Sequence, residues 1–258
     1  MADSKQPKKV RLKILRQEAP EKKESRRWDT FEVERTPNMT VHEALEQIRR
    51  RPVTTDGKTV SPPAWEAACL EDVCGACAML VNGKVAQACS MRVEEASPKG
   101  KPIVLEPLSK FTLERDLIVD RTRIFDGLKR VKAWIALEGT APRGPGPVVG
   151  PDDQAERYAL SRCTACGLCL EACPEVRESG RFVGAAAIGQ ARLFEIHPTG
   201  ALHSRERTES LMEDGGVADC GKAQNCVEVC PAKVPLVDAI GEMSRATTKR
   251  LLFGWLLK

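Results

Sequence analysis

Cysteine is the residue type that gives this 258-residue chain its clearest chemistry. All 11 cysteines lie in the stretches CLEDVCGACAMLVNGKVAQAC, CTACGLCLEACP and CGKAQNCVEVCP. The first residues of the chain lack the apolar region of about 7–15 residues found in secretory signals, so we expect a reducing compartment. Clustered thiols there more often bind metal than form disulfides, and an odd number of cysteines argues against a complete disulfide set.

The first stretch has the spacing C-x4-C-x2-C-x11-C. Its cysteines are Cys69, Cys74, Cys77 and Cys89. This is the spacing of plant-type [2Fe–2S] sites. Gly75 lets the backbone come close to such a cluster, and backbone N–H groups of the loop can donate to sulfur. A structural zinc site is the alternative, but zinc sites usually pair two short cysteine knuckles and this stretch has one.

The second stretch has the spacing C-x2-C-x2-C-x3-C-P, the bacterial ferredoxin run. Its cysteines are Cys163, Cys166, Cys169 and Cys173. In two-cluster ferredoxins the first three cysteines of a run bind one cluster and the fourth binds the other. Pro174 fixes φ and turns the chain away after the last ligand.

The third stretch is an incomplete copy of the second. Cys220, Cys226 and Cys230 fill its first, third and fourth places, and Ala223 occupies the second. By the crossover rule the [4Fe–4S] ligands are Cys163, Cys166, Cys169 and Cys230, and the second cluster keeps Cys173, Cys220 and Cys226. A cube with three protein ligands readily loses its unligated iron, so we predict [3Fe–4S] there. Three clusters of different type and net charge should differ in reduction potential.

The elements that must position these ligands differ between the two parts of the chain. KVRLKIL alternates as a strand does, WDTFEV fits its hairpin partner, and PIVLEPL fits a last strand. Thr40 and Glu43 form a capping-box pattern before a helix, and Asn82-Gly83 predicts a tight hairpin. We therefore expect a small sheet packed on a helix over residues 1–110, holding the [2Fe–2S] cluster.

From Phe111 the pattern becomes helical. We predict helices through RIFDGLKRVKAWI, DDQAERYALSR and PLVDAIGEMSRATTKRLLFGW, and a long loop over GTAPRGPGPVVGPDD. The predicted fold class is thus α+β, with residues 111–258 forming a helical domain for the [4Fe–4S] and [3Fe–4S] clusters.

Composition gives no support for a nucleic-acid partner, a membrane span or histidine ligands. The net charge of +4, from 40 basic and 36 acidic residues, gives no reason to expect nucleic acid as a partner. The chain has no run of about 18 apolar residues that could span a membrane. We expect packing or surface roles for the three histidines, His42, His197 and His203.

The order of these motifs, together with RDLIVDRTRIFDGLKRVKAWI and DCGKAQNCVEVCP, resembles the iron–sulfur subunit of succinate dehydrogenase and fumarate reductase. ACLEDVCGAC and the segment 197–201 are similar to the class that pairs with a dihaem cytochrome b and menaquinone. The resemblance implies an N-terminal β-grasp domain like plant-type ferredoxins and a C-terminal helical domain like bacterial ferredoxins.

The resemblance also implies a function in the respiratory chain and tricarboxylic acid cycle. Electrons would leave succinate at FAD in a flavoprotein subunit, pass through [2Fe–2S], [4Fe–4S] and [3Fe–4S], and reach haem b and menaquinone in a membrane-anchor cytochrome b subunit. The chain itself would have no catalytic residue for substrate and would lie peripherally on the cytoplasmic face of the cell membrane. The sequence leaves open whether succinate is oxidised or fumarate reduced.

Two alternatives are a soluble multi-cluster ferredoxin, which would not require 258 residues, and the small subunit of a molybdenum hydroxylase. The latter shares the first motif but lacks proline-terminated cysteine runs.

One departure from ubiquinone-reducing relatives matters: they carry a tryptophan pair and a histidine near the quinone. This chain has 175–178 and Gly221 in those places, so quinone contacts cannot be transferred to it.

Overall fold

The computed structural model describes residues 9–135 and 147–254. The chain forms two compact units, Met1–Asp120 and Arg121–Lys258. The boundary predicted from the sequence, after residue 110, precedes a hairpin that belongs to the first unit. Residues 1–8 and 255–258 also lie outside the described residues.

The described part of the first unit, residues 9–120, contains seven strands, two helices and one 3₁₀ turn. They are β1 (Lys9–Arg16), the 3₁₀ turn Lys23–Ser25, β2 (Arg27–Glu34), α1 (Val41–Arg50), β3 (Ala78–Val81), β4 (Lys84–Gln87), α2 (Val93–Ala96), β5 (Ile103–Glu106), β6 (Thr112–Arg115) and β7 (Ile118–Asp120). Five strands form a sheet in the order β2-β1-β5-β3-β4, and β6 pairs with β7. β1 and β5 run parallel, and the other pairs are antiparallel.

The predicted strand and hairpin signals are confirmed. β1 alternates exposed and buried residues over Lys9–Ile14 before both residues at its end become buried. Asn82 and Gly83 both have positive φ, 51° and 75°, which is the type I′ geometry that matches the twist of the β3–β4 hairpin.

The core of the first unit lies between the sheet and α1. Thr40 Oγ1 accepts from the Glu43 N–H at 3.2 Å, and Glu43 Oε2 accepts from the Thr40 N–H at 2.8 Å, completing the capping box. The predicted apolar face of α1 is buried together with the inward residues of β1, β3 and β5. Burial of this face, more than helix propensity, stabilises a helix of this length.

The first unit also contains a buried ion-pair network that the sequence did not indicate. Arg16 lies 2.9 Å from Asp29 Oδ2 and 3.0 Å from Asp116 Oδ1. Asp116 Oδ2 also accepts from the Ala64 N–H at 2.9 Å. The network therefore fixes the segment that leads to Cys69, and removing one partner of a buried pair typically costs about 3–5 kcal/mol.

The described part of the second unit contains helices and 3₁₀ turns. They are α3 (Thr122–Arg130), α4 (Pro151–Ser161), α5 (Leu168–Ala172), α6 (Gly184–Glu195), the turn Gly200–His203, α7 (Ser204–Met212), the turn Val217–Asp219, α8 (Asn225–Glu228) and α9 (Leu236–Phe253). The mostly buried α6 packs against α3, α4, α5, α7 and α9. Gly189 permits the contact with α9, because an added Cβ would lie 2.9 Å from Leu236 Cδ2.

Two boundaries in the second unit differ from the prediction. The helix expected to run to Ile135 ends at Arg130, and the following Lys132 is left-handed, with φ 53°. The expected loop ends earlier, because Pro151 stands in the first turn of α4, where its missing N–H costs no hydrogen bond. Residues 139–146 of that loop lie outside the described residues. None of the described helices combines the length and apolar character needed to cross a bilayer.

Candidate metal centres

The loop from Cys69 to Cys77 gathers the first cysteine group near the β3–β4 hairpin. Left-handed backbone at Leu70, Asp72 and Gly75 coils this loop. Cys77 comes directly before β3 and Cys89 follows β4. The Ala88 N–H donates to the Cys77 carbonyl at 3.1 Å, so hairpin pairing continues past β4 to the last cysteine of the group.

Backbone N–H groups of this loop point at sulfur. Cys69 Sγ accepts from the N–H groups of Cys74, at 3.3 Å, and Glu71, at 3.4 Å. Cys74 Sγ accepts from the Ala76 N–H at 3.4 Å. Such donors stabilise negative charge on sulfur, so the loop suits metal-bound thiolates.

The thiols at the two ends of the loop differ in acidity. The N–H groups of Cys74 and then Glu71 lower the pKa of Cys69 to about 7. Burial raises the pKa of Cys77 to about 12; a hydrogen bond from the Cys89 backbone opposes this rise, and the Cys89 thiol adds to it. Cys77 and Cys89 are buried, whereas Cys69 and Cys74 are partly exposed. A metal ligand must be a thiolate, so metal binding at Cys77 requires release of its proton.

Four cysteines of the second unit line one small apolar cavity. They are Cys163, Cys166, Cys169 and Cys230. Burial raises the pKa of Cys169 well above its ordinary value, and the thiols of Cys166 and Cys163 raise it further. The Val234 N–H donates to Cys230 Sγ at 3.4 Å. The structure thus groups the last cysteine of the third stretch with the first three of the second.

The other three cysteines of the second unit form a separate group. Burial raises the pKa of Cys226, and the neighbouring thiols of Cys173 and Cys220 raise it further. Asn225, at the start of α8, donates from Nδ2 to the Ala172 carbonyl at 2.9 Å. This hydrogen bond ties the segment bearing Cys226 to the end of α5, directly before Cys173.

A cavity of about 500 Å³ adjoins this group of three cysteines. Cys220, Cys226 and the first turns of α9 contribute to its lining. Ala223 is exposed and lies between Lys222 and Gln224, both left-handed with φ 58° and 63°. The position of the missing fourth thiol therefore lies on an exposed, tightly coiled segment.

Glu175 and Gly221, the departures noted in the sequence, are in contact. A Cβ added to Gly221 would lie 2.3 Å from Glu175 Oε1. The exposed glutamate side chain lies over Gly221 and would have to turn aside to admit a side chain there.

The histidines lie in packing and turn positions. Trp65 Nε1 donates to His42 Nδ1 at 3.4 Å. His197 Nδ1 accepts from the N–H groups of Thr199 and Gly200, at 3.1 and 3.3 Å. His203 lies 3.9 Å from Glu206 Oε1. Within residues 9–135 and 147–254, no group of three or more His, Cys, Asp or Glu side chains could hold a single metal ion as it stands, so the cysteine groups of the second unit are defined by a shared cavity and by the mutual influence of their thiols.

Two parts of the chain match known protein families, and these matches define the class of protein. Residues 11–126 match the family described as "2Fe-2S iron-sulfur cluster binding domain", and residues 159–234 match "4Fe-4S dicluster domain". The chain is therefore an α+β iron–sulfur protein with a sheet-containing first domain and a helical second domain, as the sequence predicted.

Particular relatives narrow this class. The chain is 47% identical over 219 residues to the succinate dehydrogenase iron-sulfur subunit of Bacillus subtilis, covering 85% of each chain. It is 30% identical over 218 residues to the fumarate reductase iron-sulfur subunit of Wolinella succinogenes, covering 83% of this chain and 87% of the relative. The chain belongs to the iron–sulfur subunits of succinate dehydrogenase and fumarate reductase, the electron-transfer subunits of these oxidoreductases.

A solved structure has the same fold. A chain of the Mycobacterium smegmatis Sdh1 complex in the apo form superposes with a TM-score of 0.77 at 20% identity, covering 94% of this chain and 96% of that chain. The likeness extends over nearly the whole of both chains, so the two-part architecture is common to both.

Proposed function

We propose that this chain binds three clusters on its 11 cysteines. The ligands are Cys69, Cys74, Cys77 and Cys89 for [2Fe–2S], Cys163, Cys166, Cys169 and Cys230 for [4Fe–4S], and Cys173, Cys220 and Cys226 for [3Fe–4S]. When bound, these clusters supply one-electron redox chemistry between a flavin and a quinone. The chain itself contributes thiolates, N–H donors and burial, and no residue that acts on a substrate.

One observation supports this assignment most directly. The seven cysteines of the second unit separate into a group of four and a group of three, and Cys230 joins the group of four while Cys173 joins the group of three. If each cluster used only cysteines adjacent in sequence, Cys173 would belong with Cys163, Cys166 and Cys169. Cys230 would then belong with Cys220 and Cys226. This exchange is the one used by two-cluster ferredoxins.

The proposed partners are a flavoprotein subunit that holds FAD and a membrane-anchor cytochrome b subunit that holds haem b. Menaquinone would react on the anchor, and the chain would lie peripherally on the cytoplasmic face of the cell membrane. The match to subunits of succinate dehydrogenase and fumarate reductase supports the partners. Positions 175–178 and Gly221 lack the tryptophan pair and histidine of ubiquinone-reducing relatives, which supports quinone chemistry away from this chain.

The experiment is electron paramagnetic resonance (EPR) spectroscopy on the purified complex with metal analysis. We expect about nine irons per chain, a rhombic [2Fe–2S] signal after reduction, and a [3Fe–4S] signal in the oxidised state. Zinc in place of iron, or two complete four-iron clusters, would contradict the assignment. Isolation as a stable protein with no flavoprotein would instead favour the soluble ferredoxin.

Fumarate reduction is the second candidate direction, because one matching relative is a fumarate reductase subunit. The cysteine groups would bind the same clusters in both directions. The reduction potentials of the clusters and of the quinone therefore determine whether succinate oxidation or fumarate reduction is favoured. Rates of succinate oxidation with a menaquinone analogue and of fumarate reduction with its quinol, measured on the same complex, identify the favoured direction.

A further inference from the structure

Asp72 connects two parts of the first cysteine group. It lies between Cys69 and Cys74, and its φ of 58° is left-handed, a conformation in which aspartate is among the more frequent non-glycine residues. Asp72 Oδ1 accepts from Gln87 Nε2 and from Ser90 Oγ, the latter at 2.8 Å. These two donors flank Cys89 in sequence.

The segment that Asp72 contacts is buried in part and hydrogen-bonded within itself. Gln87 is 5% exposed, and its carbonyl accepts from the N–H groups of Ser90 and Met91 at 3.2 and 3.0 Å. These bonds form a turn around Cys89. Asp72 therefore links the loop that carries three cysteines to the turn that carries the fourth.

We propose that Asp72 is a positioning residue for the [2Fe–2S] cluster. Its carboxylate holds the Cys69–Cys77 loop against the Gln87–Ser90 turn, so that the four thiols keep a fixed arrangement. The inference rests on the proposed [2Fe–2S] site. Outer partners that orient ligands commonly change metal affinity by about 10–100-fold when removed, and here the loop has two partly exposed cysteines, Cys69 and Cys74.

The test measures loss of the reduced-state [2Fe–2S] EPR signal from the purified complex during incubation with an iron chelator. Asp72→Ala removes both hydrogen bonds and should speed this loss about tenfold or more. Asp72→Asn keeps an oxygen acceptor and tolerates the left-handed backbone, so it should stay near the wild-type rate. The oxidised [3Fe–4S] signal of the same sample provides an internal reference.

Asp56→Ala is the matched control. Asp56 is an exposed aspartate in another loop of the first unit, and its Oδ1 accepts from Thr54 Oγ1. Loss of its carboxylate should leave the rate of signal loss unchanged. A wild-type rate in Asp72→Ala, or an Asp72→Asn rate as fast as that of Asp72→Ala, would overturn the inference.

Ser90→Ala keeps the test decisive if Asp72→Ala does not assemble. Ser90 is exposed, and its truncation removes one of the two hydrogen bonds to Asp72. Signal loss several-fold faster than wild type supports the inference, and a wild-type rate overturns it. A wild-type complex without any [2Fe–2S] signal would instead contradict the proposed function, so the two failures are distinguishable.

Discussion

Ala223 is the residue that sets the number of thiols in the second unit. It occupies the place of a fourth cysteine, between two left-handed residues on an exposed segment. An alanine offers no ligand atom, so the proposed cluster beside Cys173, Cys220 and Cys226 has one iron position without protein support. The choice of cluster type thus depends on one side chain.

We predict that Ala223→Cys shifts the three-iron centre towards four irons. A fourth thiolate retains the iron that is otherwise lost, so the iron content should rise by about one per chain. The oxidised-state [3Fe–4S] EPR signal should fall accordingly, and the potential of the centre should drop. Metal analysis and a redox titration followed by EPR measure these changes.

Ala201→Cys is the control for this substitution. Ala201 is another exposed alanine of the second unit, so the new thiol lies in a turn with no assigned cluster. Its iron content and spectrum should match the wild type. An unchanged oxidised-state spectrum in Ala223→Cys would contradict the ligand assignment.

At the scale of single residues, the cysteine groups could be predicted from the sequence, but several side-chain contacts could not. Cysteine spacing is a direct consequence of cluster geometry, so the three groups and the exchange of Cys173 and Cys230 could be proposed from sequence. The partners of Asp72 and Asn225 could not, because their hydrogen bonds span 15 and 53 positions and depend on loop conformation. The Glu175–Gly221 contact is hidden for the same reason.

At the scale of elements, local chemistry determined what was predictable. The capping box, the apolar face of α1 and the Asn82-Gly83 hairpin are short-range patterns, and the structure confirms each. The end of α3 was misplaced because apolar spacing continues beyond Arg130, while Lys132 takes a left-handed conformation. β6 and β7 were missed, since two strands of four and three residues give little periodic signal.

We predict that Thr40→Ala loosens the start of α1. Loss of an N-cap oxygen costs about 1 kcal/mol, equivalent to roughly fivefold in an opening equilibrium. Amide hydrogen exchange in the first turn of α1, measured by mass spectrometry on the intact complex, should quicken by that factor.

Thr40→Ser keeps the hydroxyl acceptor and serves as the control. Its exchange should remain close to wild type, because serine is an equally good N-cap residue. Equal exchange in Thr40→Ala and wild type would mean that packing alone fixes the helix start.

At the scale of the whole molecule, the second unit joins cysteines that are distant in sequence. Cys230 lies with Cys163, Cys166 and Cys169 around one cavity. Cys173 influences Cys226 across the contact between α5 and α8. The two groups are close, since Cys226 also raises the pKa of Cys169, although burial and the Cys166 and Cys163 thiols contribute more.

We predict opposite effects for two cysteine substitutions. Cys230→Ser should weaken the reduced-state [4Fe–4S] EPR signal severalfold and leave most of the oxidised [3Fe–4S] signal, because serine is the poorer ligand for iron in a sulfur site. Cys173→Ser should do the reverse. Cys226→Ser, a neighbour of Cys230 in sequence, should follow Cys173→Ser. Loss of only the three-iron signal in Cys230→Ser would contradict the exchange.

This exchange between motifs has a consequence for biosynthesis. A nascent chain folds from its N-terminus as it leaves the ribosome, and the first cysteine group is complete once Cys89 has emerged. Each group of the second unit needs cysteines from both the second and the third cysteine stretch, so the group of three is incomplete until Cys226 has been made and the group of four until Cys230 has been made. A ribosome stalled before residue 220 should therefore carry a chain able to take up only the two-iron cluster.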